Sequence, residues 1–483
     1  MKKEKLVERY LTGNTPPRLK RPLARIQPLL AREGKPSVDV ARLAELVKDC
    51  AVLNETVAIR SPEHWADTIE NLPDDVDAIL PVSSPCYPTE IWNSRPGPLV
   101  KRRLPVVFWP LIEHDEPDFW KWSARDFLQA LGVETHLVKN NRLGIALLKA
   151  IAMRKFLRAS RLVVFGEQNF PWNADAGGRL IKDSLGTNIV VKPLSAIRER
   201  YPWFDDAALE TLWAKRKARY EAAGVRQEEL KTALRSYLAI ASILEEERAF
   251  GFGVNCYGDL IVNGARDVPC LAQCLAREDG YIASCDGDYC ALMSMALTTY
   301  FLDLPCMMSN MYPLSYVGAL KEHFGNALPP GAAYEKRHGD NLARLAHCGF
   351  TGIVPPEMTP TGRAALKDYG GTYEIKRDGR GCGVDSELTA GAPFTIIELH
   401  FDGKNVLLGS GRVLETTRHK GMPHCEASAL LRIDRLPKFV ENISREHVVL
   451  VYGEHIDELR ILLDTLKLNA TVITPAREDG NHD

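Results

Sequence analysis

Two carboxylates stand two residues apart in Cys285–Asp286–Gly287–Asp288, between the apolar run YIAS and the helical run YCALMSMALTTYFL. A carboxylate at the carboxyl end of a strand faces the crevice where α/β domains hold their ligands. Two acids buried this close together shift at least one pKa, which suits acid–base chemistry. The plainer role for Asp288 is to cap the helix that follows it. Histidines form a second set: His347 in AHCGFTG, His424 in MPHC, His447 in SREHVVLVYG and His455 in YGEH. His447 stands out because the apolar strand VVLVY begins directly after it. Imidazole suits Mn, Fe, Co, Ni or Zn, and mixed carboxylate–imidazole sites suit Mn or Fe best. The alternative for each histidine is a surface or internally satisfied residue. Cysteines form a third set: Cys270, Cys274, Cys285, Cys290, Cys306 and Cys348 cluster in sequence. No CxxC pair occurs among them, so a structural zinc site lacks its usual spacing. A cysteine nucleophile served by His347 or His424 is one reading. Burial as small hydrophobes is the other.

The elements that must position these residues follow from periodicity. Residues 1–35 are charged and broken by proline, and read as an N-terminal extension. Over 36–160, short apolar runs (DAILPVS, LPVVFWP, THLVK) alternate with helix-period segments, which predicts an α/β domain on a parallel sheet. Residues 161–250 repeat that rhythm from RLVVFGE onward and read as a second such domain. Residues 251–483 read as a third, mixed α/β domain with a β-rich, barrel-like part. There APFTIIELHFDGKNVLLGSGRV predicts a hairpin turning at Asp402–Gly403, and the chain ends as strand, helix, strand. Glu167, Gln168 and Asn169 follow the strand RLVVFGE, so they could reach substrate hydroxyls or cap the next segment. Phe108, Trp109, Trp120 and Trp122 serve either core packing or an interface.

Composition narrows the function. The chain has 483 residues, 45% hydrophobic and 26% charged, which is ordinary for a globular protein. Sixty-one Lys and Arg against 63 Asp and Glu leave a formal charge of −2, so nothing draws it to nucleic acid or anionic membrane. No apolar run approaches the roughly 18 residues of a membrane helix. Eleven cysteines, an odd number, fit reduced thiols in the cytoplasm better than a disulfide framework. There is no Walker A motif, no Rossmann GxGxxG after a strand, and no GxSxG elbow.

Read in order, four segments resemble the L-fucose isomerase/L-arabinose isomerase superfamily. They are VPCLAQCLAREDGYIASCDGDYCALMSMALTTYFLDLP, HCGFTG, FTIIELHFDGKNVLLGSGRVLE and EHVVLVYGEHIDELRILLDTLKLNATVI. The resemblance implies a metal-dependent aldose–ketose isomerase working through an enediol. It implies a divalent cation, usually Mn²⁺, held by two acids and one or two histidines. Carried over, the acids fall on Asp286 and Asn310, and the histidines on His347 and His447. Asp288 is a further acid for the catalytic set. Asn310 stands where the family usually has Asp, so the site has one formal negative charge where the family has two, and affinity for a hard cation should be lower. Glu167, Gln168, Arg412 and His424 are candidates for binding the sugar, and Arg412, Arg418, His419 and Lys420 could pair with an anionic one. The resemblance also implies a homo-oligomer, a trimer or hexamer, with a neighbour's N-terminal domain closing each site. Two other readings keep the fold: a lyase or epimerase on a sugar-derived substrate, and a non-catalytic sugar-binding relative.

Overall fold

The computed structural model describes residues 15–31, 35–36, 38–84, 97–109, 121–166, 173–256, 267–315, 337–347, 352–369, 380–416 and 429–475. The protein is mixed α/β and divides into two compact units. Among the described residues, no helix is long and apolar enough to cross a membrane.

The first unit comprises residues 21–156 and 457–466. Its apolar runs become short strands: β1 (Ala24–Leu30), β2 (Ala51–Leu53), β3 (Ala78–Pro81), β4 (Val106–Phe108) and β5 (Thr135–Leu137). They lie parallel in the order β2-β1-β3-β4-β5, a doubly wound arrangement. Successive strand residues point to opposite faces. Leu80 and Val107 therefore join one apolar layer, while Ile79 and Val106 join the other. The helices start on side-chain caps. Asp39 accepts from the Arg42 amide at 3.0 Å ahead of α1 (Val40–Val47), and Ser61 from the His64 amide at 3.1 Å ahead of α2 (Pro62–Glu70). Helices α3 (Lys121–Ala130) and α4 (Asn141–Arg158) follow.

The expected extension over 1–35 is revised here, because β1 sits inside the sheet with Ala24, Ile26 and Leu29 buried. Pro28 interrupts ARIQPLL and hides a strand whose inward positions are apolar. Phe108 and Trp109 are core residues, Trp122 is half-buried, and Trp120 lies outside the described residues.

One acid of this unit gives a pH-dependent prediction. Glu134 pairs with His136 at 2.7 Å and with Arg154. Burial alone would raise its carboxyl, but the hydrogen bonds with His136 and the Arg154 guanidinium outweigh that and lower it to about 2. A depressed carboxylate contributes stability above its unfolded pKa and loses it as pH falls through the folded one. Glu134→Gln should therefore cost roughly 1–2 kcal/mol at pH 7, after discounting for partial exposure. That difference should shrink as pH falls from about 4.5 to about 2, as read by urea titration at stepped pH. A pH-independent difference would refute the ion-pair account.

The second unit comprises residues 1–20, 157–456 and 467–483. It holds a four-stranded parallel sheet, order β7-β6-β8-β9, from β6 (Arg161–Phe165), β7 (Asn188–Lys192), β8 (Gly251–Val254) and β9 (Ile282–Ser284). Around it lie α5 (Ala174–Leu185), α6 (Gln227–Glu246), α7 (Cys270–Glu278) and α8 (Tyr289–Leu302). The sequence places a domain boundary at 250, yet β8 pairs directly with β6, so the segments before and after that point share one sheet.

The same unit carries a closed antiparallel barrel. Its six strands are β10 (Cys306–Pro313), β11 (Leu342–Ala346), β12 (Pro393–Leu399), β13 (Asn405–Glu415), β14 (Ala429–Ile433) and β15 (His447–Tyr452). They pair in the circuit β12-β15-β10-β11-β14-β13, and β13 returns to β12. A seventh strand, β16 (Asn469–Ile473), runs parallel to β13. The expected hairpin is the β12–β13 pair, and Gly403 takes φ +67° in its turn. Closure leaves the barrel no free edge, and Met307, Leu345, Ile396, Leu431 and Leu450 fill its core. Helix α8 packs against β12 and β15, bringing the end of β9 to the barrel.

Candidate metal centre

After β9 the chain turns through Asp286 and Gly287, both in left-handed backbone at φ +58° and +68°. Aspartate tolerates this region better than most residues, and glycine adopts it freely. The strain at Asp286, on the order of 1 kcal/mol, is of the kind that surrounding structure imposes at functional sites. The Asp286 amide donates to Cys256 Sγ, and the Cys256 thiol donates to Asp286 Oδ1, each at 3.4 Å. Two residues on, Asp288 is the N-cap of α8, its Oδ1 accepting from the Ala291 amide at 2.8 Å.

The barrel register supplies the other components. Asn310 on β10 lies opposite His447 on β15 and opposite Ala346 on β11, and His347 follows Ala346. Directly opposed residues share a face. The two imidazoles lie 5.6 Å apart between ring centroids. Asp286 Oδ2 stands 3.3 Å from His347 Nε2 and 3.4 Å from His447 Nε2. Two donors held side by side at ~2.1–2.2 Å from one cation are themselves roughly 3.0–3.5 Å apart. Asp286, His347 and His447 are all buried, each offers a ligand atom within 4.8 Å of the others, and together they could hold a divalent cation. Among the described residues, His347 Nε2 and Asn310 Oδ1 are buried without a hydrogen bond, as are Glu398 Oε2 and Arg445 Nη2 behind them. Such orphans are rare in a folded protein, and a bound ion would account for the first two. The Asn310 amide nitrogen donates to the Tyr312 hydroxyl at 2.9 Å, leaving its Oδ1 as the acceptor to spare.

Behind the group lies a buried charge network. Asp288 Oδ2 meets His447 Nδ1 at 2.8 Å and accepts from Arg445 Nε at 2.9 Å. A carboxylate on Nδ1 fixes the ring so that Nε2 faces Asp286 as the ligating nitrogen. Arg445 Nη1 donates to the Leu399 carbonyl at 2.6 Å and reaches Glu398 Oε1 at 3.4 Å, and Glu398 Oε1 also accepts from the Ser444 amide at 2.9 Å. Burial would raise the Asp286 carboxyl, but the imidazoles of His347 and His447 hold it well below the usual range. Burial is likewise overcome at Asp288, where Arg445 and His447 lower the carboxyl to about 2. Burial pulls the His447 imidazole down, while Asp286 and Asp288 raise it to about 10. Burial dominates at Glu398 and raises its carboxyl. Arg445 pairs with both Asp288 and Glu398, while Asp286 faces the imidazoles of His347 and His447.

Four sequence candidates converge here: Asp286, His347, His447 and, in register beside them, Asn310. Asp288 is corrected from a catalytic acid to a positioning residue. Its oxygens are taken by the helix cap, His447 and Arg445, so neither is left for substrate. Arg412 is corrected as well. It is exposed on β13 between buried Gly411 and Val413, and donates to the Gly391 carbonyl at 2.6 Å. Strand alternation sends it outward. His455 is satisfied locally, its Nε2 lying 3.0 Å from the Tyr452 carbonyl. Glu167, Gln168, Asn169, Cys348, Arg418, His419, Lys420 and His424 lie outside the described residues. The other five clustered cysteines are buried free thiols, and burial raises Cys270, Cys274, Cys290 and Cys306, which opposes a nucleophilic role. Arg445, Glu398 and Cys256 are the residues sequence reasoning missed. The signal for Glu398 is an acid inside the apolar run FTIIEL.

Asn310→Asp separates a metal centre from a merely structural cluster. An added carboxylate beside Asp286 should lower the melting temperature of EDTA-treated protein by like-charge repulsion. It should also tighten Mn²⁺ binding by about tenfold, because hard cations favour charged oxygen. Thermal melts with and without Mn²⁺ read both signs, and a loss of stability in both would count against a cation at this place.

In comparisons with known proteins, no family model matches the chain and no curated protein matches it.

Proposed function

We propose that the protein is a divalent-metal-dependent aldose–ketose isomerase that acts on a sugar, neutral or anionic, through an enediol. The observation that carries this reading is the buried Asp286–His347–His447 group with the spare Asn310 oxygen in register beside it. The resemblance of four segments, in order, to the L-fucose isomerase/L-arabinose isomerase superfamily supports the same assignment. Asp286, His347 and His447, with the Asn310 oxygen, would hold such a cation, Mn²⁺ on this reading, and it would supply electrostatic stabilisation of developing negative charge.

The chain's own residues divide the remaining work. His347 and His447 present Nε2, Asp286 presents Oδ2, and Asn310 offers a neutral oxygen. Asp286 is the carboxylate placed to take the proton from C2 and return it at C1. Among the described residues, its Oδ1 accepts only from the Cys256 thiol, a weak donor that leaves the oxygen open to a substrate. Asp288 and Arg445 hold His447 in its ligating orientation. Burial of the group excludes water, which strengthens each of these interactions. On this reading the chain works as a homo-oligomer. One carboxylate in the group, rather than two, favours a second reading: an epimerase or lyase working through the same enediolate.

The test has two steps. Elemental analysis of purified protein should find about one divalent ion per chain, and removal with EDTA should lower the melting temperature, with Mn²⁺ restoring it. A panel of aldoses and sugar acids in D₂O should then show deuterium entering at C2 together with ketose formation. Exchange without ketose selects the epimerase or lyase. Absence of any bound metal refutes both.

A further inference from the structure

The first unit holds a second polar site, unrelated to the metal centre. A cleft of 490 Å³ runs along β5 and past its carboxyl end to Lys139, between α3, α4 and the C-terminal helix α9 (Ile456–Leu466). That volume is in the range of small-molecule sites, and strand carboxyl ends are where α/β sheets hold ligands. Three cations line it: Arg125, Lys139 and Arg460. None of the three makes a side-chain hydrogen bond or ion pair among the described residues, and Arg125 Nε is buried without a partner. In the same unit Arg102, Arg142 and Arg154 are paired.

Thr465 points independently to a ligand. It lines the cleft, is 1% exposed, and its hydroxyl has no hydrogen-bond partner among the described residues. A helical threonine ordinarily bonds back to the carbonyl four residues earlier. A buried hydroxyl left unpaired is costly unless a guest completes it. Asp464, also lining and also without a partner among the described residues, could accept from hydroxyl donors, while Asp457 stands 3.6 Å from Arg142. Guanidinium forks match phosphate oxygens, and carboxylate and hydroxyl together match a polyol.

We propose that this cleft binds a small phosphate monoester of a polyhydroxy compound: Arg125, Lys139 and Arg460 hold the phosphate, and Thr465 and Asp464 hold hydroxyl groups. The full chain is titrated calorimetrically with ribose 5-phosphate, inorganic phosphate and ribose. Ribose 5-phosphate should bind and raise the melting temperature, inorganic phosphate should bind about tenfold more weakly, and ribose should not bind. Arg125→Ala combined with Arg460→Ala should weaken the ester at least about tenfold. Thr465→Val, nearly isosteric, should weaken it by roughly threefold to tenfold without lowering the melting temperature of the free protein. Binding should survive EDTA, which separates this cleft from the metal centre. Failure of the ester to bind, equal binding of inorganic phosphate, or insensitivity to the double variant would each overturn the proposal.

Discussion

Arg445→Met should be the most destabilising single substitution at the site, costing about 3–5 kcal/mol of unfolding free energy. The side chains of Arg445, Asp288 and Glu398 are 2%, 0% and 0% exposed, so the pairing is sealed from solvent. Removing the guanidinium leaves one or two buried carboxylates without their cation, and it frees the Leu399 carbonyl that Nη1 satisfies. Desolvation of an uncompensated charge, more than loss of the pair's own attraction, sets the size of the effect. Two further variants test the mechanism. Arg445→Lys keeps the charge but loses the fork and should cost less. Arg445→Met with Glu398→Gln removes one stranded acid and should recover roughly 1–2 kcal/mol of the loss, a coupling that a double-mutant cycle by urea denaturation reads directly. A cost for Arg445→Met below about 1 kcal/mol, or strict additivity in the cycle, would show that the network carries no net pairing energy. The same variant should also weaken metal binding, because Asp288 loses the partner that helps fix it against His447.

How much of this was legible in the sequence follows from the range over which each signal acts. Local signals were sound: the runs that become β6, β9 and β15 are short and apolar, and the turn at Asp402–Gly403 has a side-chain and backbone reason visible in two letters. Asp286 and the histidines could be singled out because acids and imidazoles next to apolar strand ends are chemically conspicuous. Pairing was not legible. That Asn310 faces His447 is a matter of register between strands far apart in the chain, and no local pattern encodes it. The same holds for Arg445: in sequence it is one more charge in SREH, and only the fold sets it against Asp288 and Glu398. Likewise a proline and flanking charges mask the buried positions of β1, and the break in pattern near 250 marks the end of a helix, not the end of a sheet. Asp288 shows the opposite lesson. The helix-cap role that spacing suggests is real, and the fold adds a second duty on the carboxylate's other oxygen.

Asp286→Asn should abolish the response to metal while keeping the fold. Asparagine is close to aspartate in shape and is among the few residues that accept the left-handed backbone required at this position. The substitution therefore changes charge with little change in packing. It removes the one carboxylate of the Asp286–His347–His447 group, leaving two imidazoles and amide oxygens. A hard divalent cation loses its strongest ligand, and its affinity should fall by at least about 100-fold. At fixed Mn²⁺ a 100-fold loss removes up to about 2.7 kcal/mol of ligand-linked stability, so the rise in melting temperature on adding Mn²⁺ should vanish. Asp288→Asn, one step behind the ligand, should lose only roughly 10–100-fold, and that ordering distinguishes ligand from support. If the isomerase reading holds, deuterium exchange at C2 should be lost in Asp286→Asn even at saturating Mn²⁺, since an amide cannot take the proton. A variant that bound Mn²⁺ within threefold of the parent would place the cation elsewhere, whereas one that bound it weakly but exchanged normally once saturated would leave Asp286 as a ligand and move the base to another residue.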